Sequence, residues 1–135
     1  MPTFRDFVVL YIAEGYKRNR NRVSIANSDV RVMTMSAEWL GLLSSKRLTY
    51  SLQHHADQDL EKLRVHWGRA LGIEGSVIRM QRKSNSGQLS GRCWRSQYGV
   101  LSVDACDTLL RARLQAWIDR VRGDWALDSV PGHGA

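Results

Sequence analysis

Glu14 is the residue whose position asks most directly for a chemical explanation. It stands second to last in an apolar segment of helical character. There a carboxylate meets the negative end of the helix dipole and costs roughly 0.3–1 kcal/mol instead of gaining it. An acid in that setting, beside basic segments, is a candidate metal ligand. The structural alternative is an exposed Glu14 paired with Lys17 or Arg18. The second chemical signal is how charge is sorted. The 135-residue chain has twenty Lys and Arg against thirteen Asp and Glu, a formal charge of +7. None of the acids falls in residues 15–28, 39–56 or 75–103, yet these stretches hold eleven bases. They are Lys17, Arg18, Arg20, Arg22, Lys46, Arg47, Arg79, Arg82, Lys83, Arg92 and Arg95. Such sorting implies one cationic surface and a suitable polyanionic partner. The alternative is basic edge strands that block aggregation.

Those bases lie on or beside alternating segments. Arg22–Asn27 reads as a strand, with Arg22 and Ser24 on the polar side. Arg47–His55 puts Arg47, Thr49, Ser51, Gln53 and His55 on one side and Leu48, Tyr50, Leu52 and His54 on the other. Val77–Lys83 offers Arg79, Gln81 and Lys83. Arg82 belongs to the same basic segment. Arg, Lys, Ser, Thr and Gln bond phosphates and base edges, and these strand faces hold no acid in this reading. His54 reads as a core histidine and His55 as a possible phosphate contact. Cys93 and Cys106 have no metal-ligand spacing with the histidines. Trp94, between Arg92 and Arg95, is a candidate for base stacking, with packing as its ordinary role.

Helices must position these strands. Thr3 and Asp6 form a capping box for a helix over residues 4–14, with Gly15 as its stop. Its apolar residues, Phe4 and Phe7–Ala13, go all round. A helix of that kind is covered on every side. One sheet covers one side, so a second helix or a second subunit must cover the other. Ser28 or Asp29 opens a second helix, Asp57 or Asp59 a third ending at Gly72, and Asp107 a last one ending at Gly123. Tyr98–Val103 reads as a strand paired with Val77–Lys83. The expected order is helix, strand pair, helix, strand, helix, strand pair, helix. That predicts an α+β domain over residues 1–123, a mixed or antiparallel sheet with helices on one face, and a flexible tail from 124. Apolar residues make up 43% and the isoelectric point is near 10.0. With two cysteines and a longest apolar run of seven residues, the chain reads as a soluble cytoplasmic protein, nucleoid-associated if prokaryotic, with no membrane span.

The segment Phe7-Val8-Val9-Leu10-Tyr11-Ile12-Ala13-Glu14-Gly15 resembles the LAGLIDADG motif of homing endonucleases. Leu10, Ala13 and Gly15 match it, and Glu14 replaces one motif carboxylate by another. The other positions depart from it while remaining apolar. Asn27-Ser28-Asp29, Asp59-Leu60 and Trp67–Ile73 are similar to segments of small members. The resemblance implies two motif helices side by side and a sheet saddle over the DNA major groove. It also implies divalent metal, Mg²⁺, at the motif acids. One motif per chain implies a homodimer, with Phe7, Leu10, Tyr11 and Ala13 at its interface. Glu14 and Gly15 become the metal site, and Glu14 and Lys83 the candidate catalytic groups, with Lys17 and Lys46 as alternatives to the lysine. The DNA surface becomes Lys17, Arg18, Arg20, Arg22, Ser24, Lys46, Arg47, Thr49, Ser51, Gln53, Arg79, Gln81, Arg82 and Lys83. Val9 stands where the family has glycine, which would hold the helices apart. The expected function is sequence-specific binding of double-stranded DNA with metal-dependent cleavage. The alternatives are a non-catalytic DNA-binding regulator, an RNA-binding splicing factor, or a basic module for an acidic protein.

Overall fold

Each helix begins where the sequence provides an acceptor side chain. The computed structural model describes residues 2–82 and 97–128. Helix α1 spans Phe4–Glu14, and its capping box is made: Asp6 N donates to Thr3 Oγ1 at 3.1 Å and Thr3 N to Asp6 Oδ2 at 2.8 Å. Asp29 caps α2 (Val30–Leu43), Asp59 caps α3 (Leu60–Leu71), and the amide of Leu110 bonds Asp107 at the start of α4 (Thr108–Asp128). Gly72 ends α3 in the left-handed region, φ 69°, where a side chain would be strained.

Among the described residues five strands form one mixed sheet: β1 (Gly15–Tyr16), β2 (Val23–Asn27), β3 (Thr49–His54), β4 (Ile78–Arg82) and β5 (Val100–Ala105). Their order across the sheet is β1-β2-β5-β3-β4. All neighbours are antiparallel except β3 and β4, which run parallel. A parallel neighbour needs a crossover, and α3 followed by the short 3₁₀ turn Gly75–Val77 supplies it. The expected pairing of the last two strands is therefore corrected: β3 lies between β4 and β5.

One face of the sheet holds Val23, Ile25, Leu52, Ile78, Leu101 and Val103, all nearly or fully buried. They form a single core with Phe7, Val8 and Tyr11 of α1, Met33 and Leu40 of α2, Leu63 and Trp67 of α3, and Leu110, Leu114, Ile118 and Val121 of α4. All four helices thus cover one face, as the alternation predicts. The α+β class is borne out. Helix α1 lies against β2 and is flanked by α2 and α4 of its own chain. Helix α4 runs past the expected stop at Gly123 to Asp128. Gly123 has open space around it, and Arg5 pairs with Asp124 at 3.6 Å. An exposed glycine inside a helix costs about 1 kcal/mol relative to alanine, which does not end a helix packed through Val121. Among the described residues no helix is long and apolar enough to cross a membrane.

Candidate nucleic-acid interface

The sheet face turned away from the helices is built by register. Tyr16 pairs with Ser24, Ser24 with Asp104, and Asp104 with Thr49. The next row is Ala26, Ser102, Ser51 and Arg79, and the third is Val100, Gln53 and Gln81. Directly paired residues share a face, so Ser24, Thr49, Ser51, Gln53, Arg79 and Gln81 come together as expected. Thr49, Gln53, Arg79 and Gln81 are exposed. Ser24 is 7% exposed, so it is a covered residue and no contact for a ligand. Arg82 pairs with His54 and takes the side of Ile78 and Met80, the helix-covered side, where it is exposed at the sheet edge. Lys83, Cys93, Trp94 and the Ser/Gly-rich segment 84–92 lie outside the described residues.

The strand starts gather the remaining bases. Strands β2 and β3 both begin opposite the end of β5, so the connection 17–22 and the connection 44–48 lie at one end of the sheet. Arg18, Arg20, Lys46 and Arg47 are exposed there. The two connections are tied to α4. Asp107 accepts from Ser44 Oγ at 2.9 Å and Ser45 N at 3.3 Å. Arg111, only 3% exposed, donates to the Lys17 carbonyl at 3.0 Å and to Gln115 Oε1 at 3.0 Å. Sequence reading missed Arg111, although its spacing of three and seven residues from Leu114 and Ile118 puts it on the buried stripe of α4.

An acid-free face was expected, and that is corrected. Asp104 lies on that face, on the central strand and in the row at the end where β2 and β3 begin. The alternation that buries Leu101, Val103 and Ala105 turns Val100, Ser102 and Asp104 outward. Ending the strand at Val103 hid it. Arg22 Nε approaches Asp104 Oδ1 at 3.6 Å, and its guanidinium lies 4.9 Å from the Tyr16 ring centroid.

Around Glu14 the structure departs from several expectations. Glu14 is exposed, and among the described residues it has no ion pair. Lys17 Nζ instead donates to the carbonyls of Ile12 at 2.8 Å and Gly15 at 2.9 Å, with Tyr11 O at 3.5 Å. A cation on the unsatisfied carbonyls of a helix end is the favourable arrangement. Lys17 is thus a cap for α1, and the Gly15 carbonyl is already occupied by an ammonium. Burial, then Arg122 and Arg111, push the Lys17 pKa down, while Glu14 opposes them. Gly15 is not a left-handed stop; its φ is −75°. It is small because a Cβ there would lie 2.5 Å from the Tyr11 ring. Among the described residues no three His, Cys, Asp or Glu side chains form a metal-holding group.

Replacing Lys17 by Met is expected to cost about 1–2 kcal/mol of stability through the lost cap. It should leave the salt dependence of any DNA binding unchanged, because this ammonium is spent on carbonyls. Chemical unfolding and a binding titration on the same variant check both halves.

Of the expected interface residues, Phe7 and Tyr11 are 0% exposed within one chain. That is a correction: α2 and α4 supply the cover that a second subunit was expected to give. The Tyr11 hydroxyl donates to Tyr16 O at 2.6 Å and accepts from Ser24 N at 3.1 Å. Burial raises its pKa. Leu10 is half-buried and Ala13 exposed. His54 is buried as expected, with Nδ1 2.9 Å from His55 O, but His55 is buried too, at 8%, and does not reach the surface. No protein-family model, curated protein or solved structure matches this chain.

Proposed function

We propose that the chain binds double-stranded DNA through the open face of its sheet. One observation carries this reading: four helices cover one face, and the opposite face is polar with exposed bases at its end and edge. Thr49, Gln53 and Gln81 can bond base edges, while Arg18, Arg20, Lys46, Arg47 and Arg79 neutralise phosphates. The face's rows of Thr and Gln on neighbouring strands offer donors and acceptors for base edges, which an acidic protein surface does not call for. Fluorescence anisotropy with equal lengths of labelled duplex DNA and hairpin RNA, and with an acidic peptide, tests it. The duplex should bind tightest. Tighter binding of RNA would favour the splicing-factor reading, and tighter binding of the acidic peptide the protein-module reading.

Metal-dependent cleavage by a homodimer is a second reading, favoured by Glu14. It is an exposed carboxylate without an ion pair among the described residues, at the end of the LAGLIDADG-like helix. One chain supplies one such acid, so a Mg²⁺ site needs the α1 ends of two copies. Val9, Leu10 and Ala13, which are not fully buried, would form the contact. Two carboxylates near a dimer axis repel each other and the DNA. Glu14→Gln is therefore expected to abolish Mg²⁺-dependent cleavage and to leave duplex affinity equal or tighter. Leu10→Asp is expected to give monomers by light scattering. Full cleavage by Glu14→Gln would sink the catalytic role of Glu14, and duplex binding by wild type without Mg²⁺-dependent cleavage would leave the non-catalytic regulator.

A further inference from the structure

Arg22 is held in an unusual way for a surface arginine. The Tyr16 ring lies under one face of the guanidinium, 4.9 Å from its carbon to the ring centroid. Asp104 Oδ1 stands 3.6 Å from Nε. That atom is buried and makes no hydrogen bond. Neither terminal nitrogen of Arg22 bonds any described residue. The carboxylate therefore sits on the stem side of the fork, and the far edge stays unspent. Register puts Tyr16, Ser24 and Asp104 side by side on the open face, and Arg22 is two residues before Ser24 along the same strand direction.

Resting on the DNA-binding reading above, we propose that Arg22 is a guanine-reading residue, pre-oriented by Tyr16 and Asp104. The argument turns on the neighbouring acid. An arginine meant for phosphate gains nothing from a carboxylate beside it, because that charge repels the same phosphate. A base edge is neutral, so the repulsion does not apply. Guanine offers two acceptors, O6 and N7, in the major groove, and the two terminal nitrogens of a fixed arginine match them. The ring and the carboxylate remove side-chain freedom before binding, so less is lost when the pair forms. Asp104 also penalises placement of this part of the face against backbone, which raises discrimination at the expense of non-specific affinity.

The test is selection of binding sites from a random duplex library by the full chain. It is repeated with Arg22→Lys, Arg22→Gln and Asp104→Asn, each checked for its thermal transition. Wild type should favour guanine at one position by at least about fivefold, the low end for a bidentate contact. Arg22→Lys should lose that preference, keep the others and keep the salt slope, since it retains charge without the fork. Arg22→Gln gives a second reading of the same position should the lysine variant not fold. Asp104→Asn should bind random duplex more tightly while weakening the guanine preference. Retention of the preference in both Arg22 variants would overturn the proposal while leaving the DNA reading intact. So would a uniform loss across all sequences with a salt slope shallower by about one, the mark of a phosphate contact. Absence of any duplex binding by wild type would overturn both.

Discussion

Raising monovalent salt from about 50 to about 200 mM is expected to weaken duplex binding by roughly 10³-fold. The figure follows from which bases remain unspent. Lys17 caps α1 and Arg111 is buried against a carbonyl. Arg18, Arg20, Lys46, Arg47 and Arg79 are exposed on or beside the open face. If these, with one further base at the rim, contact about six phosphates, counterion release gives a log–log slope near −5. Changing Arg18, Arg20, Lys46 and Arg47 together to Gln should remove most of that slope, because they share one end of the sheet. The Lys17 variant should not change it. A wild-type slope close to zero would reduce the basic surface to a solubilising one.

Asp107→Ala is expected to destabilise the chain by about 3 kcal/mol, the largest effect of any single polar residue. Its carboxylate accepts from Leu110 N at 3.0 Å, Ser44 Oγ at 2.9 Å and Ser45 N at 3.3 Å, and the residue is 5% exposed. Removing it leaves the buried Leu110 amide at the start of α4 unpaired, at about 1–3 kcal/mol, and unties the half-buried Ser44 and exposed Ser45 from α4 at a smaller further cost. The bond from Leu110 is the main influence holding the Asp107 pKa below the ordinary carboxylate value. Ser44, Ser45 and the Lys46 charge add to it, and burial opposes them. The folded carboxyl thus binds its proton less readily than the unfolded one. Its contribution is complete above about pH 4, the unfolded value, and is lost as pH falls through the lower folded pKa. Urea unfolding followed from neutral to acid pH should show wild type losing stability below pH about 4. The Asp107→Asn curve should be flatter there. Parallel curves would place the acid sensitivity elsewhere.

The helix starts were legible because capping is local. Thr3 with Asp6, Asp29, Asp59 and Asp107 act within three residues of themselves, and Gly72 turns the chain where it stands. Strand faces were legible for the same reason, since alternation needs no knowledge of the neighbour. What covers an apolar helix is not local. Phe7 and Tyr11 look alike whether α4 or a second subunit lies against them, and the choice is made by residues a hundred positions away. Lys17 was read by charge alone, yet its range of contacts depends on where the chain turns after Gly15. Arg22 and Asp104 are eighty-two residues apart and meet only through the β2–β5 pairing. An ion pair on a candidate binding face is thus invisible until strand order is known. The crossover through α3 is a similar case: Ile78–Arg82 reads as a strand, but nothing in it says that its neighbour is β3 and that they run parallel.

The central position of β5 bears on the order in which the sheet can be assembled during synthesis. It is the last strand made among the described residues, and both β2 and β3 pair with it, Val23 meeting Ala105 and Thr49 meeting Asp104. A nascent chain that has emerged only as far as β4 holds two separate ribbons, β1–β2 and β3–β4, each with an open inner edge. The two join when Val100–Ala105 clears the ribosome. Until then the edges of β2 and β3 lack their shared neighbour, so the interval between synthesis of β4 and of β5 is when these strands expose the most unpaired backbone.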